Sequence, residues 1–269
     1  MKLCEAIKKL ENAGVESPAH DAREIFRIIG KMPVTDLISK EAESSLPEVE
    51  SAIERRCKRE PLQYIIGTVD FYRESYKVSP DALIPRQETE LLVDYAVKHL
   101  PDGCSFIDLC TGSGCIAISA LRNTKETRAF AVDISDGALS LAKYNAELNG
   151  VADRIDFINK DVLSDSVNKN FFAVLSNPPY VTEEAYLELA PEIYFEPKIA
   201  FVGKDSGLAF YKKILELYKD KIESCGFFAF EIGYDQGKAL AEIARAHRMR
   251  CEIIKDYSGN DRIAVIRAE

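Results

Sequence analysis

The sequence predicts an α/β protein in which a small N-terminal helical bundle is followed along the chain by a doubly wound, mostly parallel seven-stranded sheet. The main observation is a change of pattern near residue 80, after which apolar, β-prone runs alternate with helical stretches. Such alternation is typical of βαβ units, whose strands pair in parallel with helices on both faces. The first sixty or so residues show only helical periodicity. We therefore place a helical domain over residues 1–67, a β-hairpin linker over 68–82 and the sheet domain over 83–269.

Proline and capping residues mark the helices of the N-terminal domain. Ser17 is a good N-cap for one helix because Pro18 follows it at the first helical position. A later helix begins at Pro47 and stops before Pro61, since proline cannot continue a helix interior. The basic run within that helix, residues 54–59, is interpreted as a solvated face rather than a docking surface.

Short apolar runs bounded by turn residues predict the strands of the sheet domain. The strands are expected at Ser105–Leu109, Arg128–Val132, Ile155–Asn159, Phe171–Leu175, Phe227–Glu231, Cys251–Lys255 and Ile263–Arg267. Helices are expected at Gln87–Leu100, at Cys115–Leu121 and from a Ser135 cap to Gly150.

Composition and charge argue against several classes of protein. The chain has 269 residues, is 46% hydrophobic and contains no apolar run of about 18 residues, so we expect no membrane association. Seven cysteines without a CxxC pair, and an N-terminus unlike a secretion signal, indicate reduced thiols in a cytoplasmic protein. No zinc-ligand spacing is found, so no metal site is expected. A net charge of -9 without a long basic run argues against direct nucleic-acid binding.

The loop after the first strand of the sheet predicts a nucleotide-like ligand. Gly112 and Gly114 allow a tight turn, and the following helix directs its free N–H groups at whatever is bound. Alone, this GxGxxA run also fits NAD, with Asp133 at the end of the next strand holding the ribose. Asp108 favours S-adenosylmethionine instead, because a carboxylate beside the loop attracts an ammonium and a sulfonium group and repels a pyrophosphate.

The run Asn177-Pro178-Pro179-Tyr180 predicts a site for a planar NH2 group. The Asn177 side-chain oxygen and the Pro178 carbonyl can both accept hydrogen bonds from one NH2, which fixes its orientation. Tyr180 offers a flat face for a planar substrate group, and the two prolines stiffen the loop. The alternative is a Pro-Pro loop that only closes its strand. Because that strand is expected beside the first one, Asn177 should lie next to the cofactor at the carboxyl ends of the sheet.

These motifs resemble class I methyltransferases that methylate planar nitrogens, and most closely the release factor glutamine methyltransferase family. The resemblance covers nearly the whole chain. Its further marks are Pro61 to Gly67, Ile84 to Glu90, Glu196-Pro197 with Ala200, Glu231-Ile232-Gly233 and Gly259 to Arg262. The chain departs from the family pattern at Gln87, where a second proline is common, at Cys110, where a glycine is common, and in the segment 204–207.

The resemblance implies methyl transfer from S-adenosylmethionine to the side-chain amide nitrogen of the glutamine in the Gly-Gly-Gln motif of peptide-chain release factors. It implies that Asn177, Pro178 and Tyr180 are catalytic and, with Pro179, bind the substrate. The cofactor-binding residues implied are Asp108, Cys110, Thr111, Gly112, Ser113, Gly114, Asp133, Ile134, Asp161, Val162 and Asn177. The helical domain would recognise the release factor, and the enzyme is expected to be a monomer.

Two other functions stay open at this point. A nucleic-acid base N-methyltransferase, acting on DNA adenine or ribosomal guanine, shares the Asn-Pro-Pro-Tyr run but should carry a basic cleft or a target-reading domain. An NAD-dependent dehydrogenase uses the same glycine loop but leaves the Asn-Pro-Pro-Tyr run unexplained. A binding module without catalysis accounts for the fewest features. The role of Asp161 is also open, since it could cap the loop after its strand instead of lying near the adenine.

Overall fold

The computed structural model describes residues 1–39 and 42–268 of the chain. These residues divide into two compact units. The first, unit 1, comprises Met1–Thr68 together with a short later segment, Ala190–Phe195. The second, unit 2, comprises residues 69–189 and 196 onward. Unit 1 thus includes six residues that the sequence places inside the sheet domain.

Unit 1 is a helical bundle. Its helices are α1 (Leu3–Asn12), α2 (Pro18–Ile28), α3 (Pro47–Cys57) and α4 (Leu62–Ile66). Proline occupies an N-terminal helical position of α2 and α3, where its missing N–H costs nothing. Ser17 is the N-cap residue of α2, but its side chain accepts no capping hydrogen bond. The apolar faces of α1, α2 and α3 meet around fully buried side chains such as Leu10, Phe26 and Ile53.

The basic run in α3 contributes to a buried ion-pair network of unit 1. Arg56 lies 2.7 Å from Asp21 and 2.9 Å from Glu192, and Arg59 lies 2.6 Å from Glu192. The prediction of a solvated face is therefore wrong for Arg56, which is only 6% exposed. Sequence could not reveal this, because Glu192 belongs to the later segment Ala190–Phe195.

The hairpin consists of β1 (Thr68–Phe71) and β2 (Glu74–Lys77). After Thr68 it belongs to unit 2. The Tyr76 hydroxyl lies 2.6 Å from Ser119 Oγ, and the backbone N–H of Lys77 donates to Asn145 Oδ1 at 2.8 Å. The hairpin is thus packed onto the helices of the sheet unit, whereas the sequence suggests a linker between domains.

Among the described residues, seven strands form one sheet in the order β5-β4-β3-β6-β7-β9-β8. They are β3 (Ser105–Leu109), β4 (Arg128–Asp133), β5 (Ile155–Asn159), β6 (Phe171–Ser176), β7 (Ile222–Glu231), β8 (Met249–Lys255) and β9 (Asp261–Ala268). The pairs from β5 to β7 are parallel, and β9 is antiparallel to both of its neighbours. The predicted fold class is confirmed, including the number of strands.

Helices cover both faces of the sheet. They are α5 (Glu90–His99), α6 (Cys115–Arg122), α7 (Asp136–Leu148), α8 (Glu183–Tyr186), α9 (Ala209–Tyr218) and α10 (Gly237–Ala246). Two buried apolar clusters result, one containing residues of α5 and α6 and the other residues of α9 and α10. The predicted cap of α7 is confirmed, because the Ser135 side chain accepts from the N–H of Ala138 at 3.2 Å. The sequence analysis names no helix at α8, α9 or α10.

The strand order positions the site. β3 pairs with β4 on one side and with β6 on the other, with Leu109 aligned to Ser176. The loops that follow β3 and β6 therefore emerge side by side at the carboxyl edge of the sheet, at the point where the strand order reverses. None of the helices in the described part of the chain combines the length and the hydropathy that a membrane-spanning helix needs.

Candidate active site

A cavity of about 310 Å³ opens within unit 2 at this edge of the sheet. Its walls include most of the residues predicted from the sequence, from both loops and from the ends of β4 and β5. The predicted residues that line it are Cys110, Thr111, Gly112, Ser113, Asp133, Ile134, Asp161, Val162, Asn177 and Pro179.

Four predicted site residues are not among those that line the cavity: Asp108, Gly114, Pro178 and Tyr180. Asp108 is fully buried at the end of β3, behind the loop it precedes. Pro178 is buried, and among the described residues no backbone N–H donates to its carbonyl. The Tyr180 ring packs against the apolar cluster beneath α9, and its hydroxyl donates to Glu231 Oε1 at 3.3 Å.

The loop of residues 110–114, here called the Gly112 loop, leaves polar atoms without partners. The Thr111 hydroxyl donates to Asp108 Oδ2 at 2.6 Å. Asp108 Oδ1 and Ser113 Oγ are buried, and neither has a hydrogen-bond partner among the described residues. Buried polar atoms normally find partners, and of these two residues only Ser113 lines the cavity, so its hydroxyl is the one available to a polar ligand there.

Burial controls the charge state of the two carboxyl groups near the Gly112 loop. It raises the pKa of Asp108 to about 7, against which the hydrogen bond from Thr111 acts. It also raises the pKa of Asp133, although backbone N–H groups of Ser135, Gly112 and Ile134 act in the opposite direction. A bound cation would stabilise the ionised forms of both groups.

Backbone conformation explains two residues of the Gly112 loop. Cys110 has φ 60°, a left-handed conformation that L-residues other than glycine adopt at a cost of about 1–2 kcal/mol. Gly114 has φ 82°, and a Cβ there would lie 2.9 Å from Ile118 and 3.1 Å from Ala142. Gly114 thus permits close packing of α6 against α7, rather than approach of a ligand to the cavity wall.

Asp133 ends β4, and Asp161 follows the neighbouring strand β5 by two residues; both line the cavity. Asp133 Oδ2 accepts from the N–H of Gly112 at 2.9 Å and Oδ1 accepts from the N–H of Ser135 at 3.0 Å. Each carboxylate oxygen keeps a second lone pair for a ligand hydroxyl. Asp161 Oδ1 accepts from the N–H of Leu163 at 2.8 Å, so it caps its own loop as well as lining the cavity. Both of the roles considered for Asp161 are therefore compatible with its position.

The loop of residues 177–180, here called the Asn177 loop, is anchored on both sides. Before it, the Ser176 hydroxyl donates to the Leu109 carbonyl at 2.5 Å and joins β6 to β3. Asn177 Nδ2 then donates to Thr89 Oγ1 at 3.3 Å, and Thr89 donates to Glu231 Oε2 at 2.6 Å. Among the described residues, none donates to Asn177 Oδ1. The side-chain oxygen of Asn177 is thus available to a donor in the cavity.

None of the candidate site residues predicted from the sequence lies in the segment before α5 or in the segment after α8, although Arg86 was considered both for the entry to the site and for a surface salt bridge. The further lining residues are Asp81, Ala82, Leu83, Pro85, Arg86, Thr89, Cys115, Ile116, Ser135, Ala138, Lys160, Leu163, Pro197, Ile199, Ala200, Val202, Lys204 and Phe210. Arg86 both lines the cavity and forms an ion pair with the buried Glu196, which also accepts from the N–H of Ile84 at 2.8 Å. The family motifs at Ile84 to Glu90 and at Glu196-Pro197 were the sequence features that could have pointed to these two segments.

Family models and curated relatives match both parts of the chain. A family model described as "PrmC N-terminal domain" matches residues 3–67, and one described as "Methyltransferase small domain" matches residues 87–196. The release factor glutamine methyltransferase of Thermodesulfovibrio yellowstonii is 36% identical over 99% of this chain and 98% of its own. That of Moorella thermoacetica is 34% identical over 97% of this chain and 95% of its own.

Solved structures confirm the fold of the sheet unit. The crystal structure of a ribosomal protein L11 methylase from Lactobacillus delbrueckii subsp. bulgaricus matches with a TM-score of 0.53 over 71% of this chain and 84% of that chain. At 19% identity this likeness concerns the fold alone. The sequence relatives go further, because they cover the helical unit, the sheet and both loops of the cavity at more than 30% identity. This chain belongs to the release factor glutamine methyltransferase family.

Proposed function

We propose that this protein transfers a methyl group from S-adenosylmethionine to the side-chain amide nitrogen of the glutamine in the Gly-Gly-Gln motif of release factors. The observation that carries the proposal is that Asn177, whose side-chain oxygen receives no hydrogen bond from the described residues, lines the same cavity as the Gly112 loop. An acceptor for a planar NH2 group and a cradle for a nucleoside-like cofactor therefore share one cavity.

The residues around the Gly112 loop fit the cofactor. Ser113 Oγ is buried without a partner among the described residues and belongs to the cavity wall, so the aminoacyl part of the cofactor would supply a hydrogen-bond partner for it. Asp133 would hold the ribose hydroxyls, and Asp161 with Val162 would lie at the adenine. Ile134, 49% exposed at the cavity wall, offers apolar surface to the same ligand. When bound, S-adenosylmethionine supplies an electrophilic methyl group on a positively charged sulfur.

Charge supports this cofactor over NAD. The neighbouring Asp133 contributes to the raised pKa of Asp108, and two carboxyl groups near one loop repel a pyrophosphate and attract a cation when they are ionised. A dinucleotide would also leave the Asn177 loop without a role. The S-adenosylmethionine assignment uses both loops.

The chain's own groups can orient an amide nucleophile. The lone pair of an amide nitrogen is delocalised, so the enzyme gains most by fixing the NH2 in line with the methyl group. Asn177 Oδ1 and the Pro178 carbonyl are the two acceptors assigned to that NH2. Their hydrogen bonds strengthen as positive charge develops on the nitrogen, and they therefore stabilise the transition state more than the ground state. No basic side chain is required, because the methylated amide cation is acidic enough to release its proton afterwards.

The helical unit is proposed to recognise the release factor. Its family match is separate from that of the methyltransferase domain, as expected for a module with its own task. The acidic chain, with a net charge of -9, favours a protein partner over a phosphate backbone. A monomer satisfies this proposal, since both loops of the cavity come from one chain.

The test is methyl transfer from radiolabelled S-adenosylmethionine to purified release factor, tRNA, rRNA and DNA in separate reactions. The matched control is a release factor whose Gly-Gly-Gln glutamine is replaced by alanine. We expect label on the unaltered factor and none on the alanine variant. Label on nucleic acid alone would refute the proposal and would instead support a base N-methyltransferase.

A further inference from the structure

One side chain, Thr89, links the carboxamide of Asn177 to the buried carboxylate of Glu231. Asn177 Nδ2 donates to Thr89 Oγ1 at 3.3 Å, and Thr89 Oγ1 donates to Glu231 Oε2 at 2.6 Å. The Tyr180 hydroxyl donates to the other carboxylate oxygen, Oε1, at 3.3 Å. Thr89 and Glu231 are each only 2% exposed, so bulk water does not compete for these bonds.

The hydrogen bonds that run from Asn177 through Thr89 to Glu231 can point in only one direction. An ionised carboxylate only accepts hydrogen bonds, so Thr89 must give Glu231 its single hydroxyl proton. Thr89 Oγ1 is then left as an acceptor toward Asn177, and only the NH2 end of a carboxamide can donate to it. Turning the carboxamide by 180° would set two oxygens against each other. Asn177 Oδ1 is thereby directed away from Thr89.

The surroundings of Glu231 bear on its charge. Burial raises the pKa of Glu231, and Thr89, Arg262 and Tyr180 each act against that rise. Both carboxylate oxygens receive a hydroxyl donor, which is the arrangement that an ionised carboxylate requires. A higher assay pH favours that form, because a carboxyl group ionises as the pH rises.

We propose that Thr89 and Glu231 are positioning residues that set the polarity of the Asn177 carboxamide, so that its oxygen faces the NH2 group to be methylated. The inference rests on the proposed function for the identity of that NH2 group, whereas the polarity itself is a property of the free protein. A carboxamide turned the other way would present its own NH2 to the substrate's NH2, donor against donor. Thr89 and Glu231 thus act on the reaction through Asn177.

Three variants test the proposal by methyl-transfer kinetics above neutral pH. Thr89→Val keeps the shape of the side chain but lacks the hydroxyl, and Glu231→Gln adds a donor that allows the opposite polarity. We expect kcat to fall roughly 10- to 100-fold in both, the effect of one misplaced hydrogen bond. The affinity for S-adenosylmethionine, measured by calorimetry, should change little. Thr89→Ser keeps the hydroxyl and should recover most of the rate.

A matched pair elsewhere in unit 2 controls for loss of packing. Ser119 Oγ donates to the buried Glu74 at 2.9 Å, and neither residue lines the cavity. Ser119→Ala and Glu74→Gln remove the same kind of bond, so they should lower the melting temperature and leave kcat at the wild-type value. If they reduce kcat as much as Thr89→Val does, or if Thr89→Val retains wild-type kcat, the proposal is wrong.

A second measurement needs no substrate. The side-chain NH2 resonance of Asn177, assigned by its loss in Asn177→Asp, should show slow hydrogen exchange in the wild type and in Thr89→Ser. It should exchange faster in Thr89→Val and Glu231→Gln. Unchanged protection in Thr89→Val would overturn the positioning role whatever the substrate is. A wild-type enzyme that shows this protection but leaves release factors unlabelled would overturn the proposed function alone.

Discussion

The two loops that face each other across the cavity differ in how far their polar groups are satisfied. Around the Gly112 loop, Asp108 Oδ1 and Ser113 Oγ are buried without partners among the described residues. In the Asn177 loop, the carboxamide nitrogen is held by Thr89, and Thr89 in turn by Glu231. Under the proposed function the cofactor side would be completed by its ligand, whereas the carboxamide of the substrate side is already held by the folded chain. Preorganisation of this kind is what amide positioning requires.

The largest expected effect comes from removing the side chain of Asn177. Asn177→Ala removes the acceptor for the substrate NH2, and kcat should fall by about 10²- to 10³-fold, as when one transition-state hydrogen bond is lost. The cofactor affinity, measured by calorimetry, should change much less. Asn149→Ala, at the end of α7 and outside the cavity, is the control and should retain its rate. Retained turnover in Asn177→Ala would remove this residue from its proposed role.

The next largest effect concerns Asp133, on the proposed cofactor side of the cavity. Asp133→Ala should weaken S-adenosylmethionine binding by roughly 10- to 100-fold, the range for lost hydrogen bonds to a charged group. Calorimetry measures this directly, and the exposed Asp153→Asn is a surface control. Because the backbone N–H groups of Gly112 and Ser135 lose their acceptor as well, a lower melting temperature should accompany the loss. Unchanged affinity would contradict the ribose-binding role.

A smaller effect should appear as a pH dependence set by Asp108. Burial raises the pKa of Asp108 from 3.8 to about 7, so the folded state favours the protonated group. Its contribution to stability is fully present below pH 3.8 and is lost as the pH rises through about 7. Melting temperatures between pH 5 and pH 8 should therefore fall more steeply in the wild type than in Asp108→Asn. Parallel curves for the two proteins would refute the raised pKa.

The smallest effect concerns the backbone strain at Cys110, the first residue of the Gly112 loop. Cys110 has φ 60°, so a Cβ is unfavourable there. Cys110→Gly and Cys110→Ala both remove the thiol, but only the glycine variant also removes the strain. Urea denaturation should show the glycine variant to be the more stable of the two by about 1 kcal/mol. The reverse order would mean that the left-handed conformation carries no cost at this position.

Sequence predicted the parts of this molecule that depend on near neighbours along the chain. The strands, the Ser135 cap and the adjacency of β3 and β6 follow from local periodicity, capping chemistry and the rules of parallel sheets. It was less successful where a distant segment decides the environment. Arg56 was placed on a solvated face, but Glu192, far along the chain, makes it part of a buried network.

Periodicity, capping residues and motifs were enough to predict the fold class, the two loops that line the cavity and the family. Which atoms of those loops are free depends on contacts that form only in the folded chain. Thr89 lies 88 residues before Asn177 and 142 residues before Glu231, so no local pattern connects the three. Their hydrogen bonds form because α5, β6 and β7 bring them together in a buried place, where donors and acceptors must match. The direction of the Asn177 carboxamide is therefore a property of the folded chain.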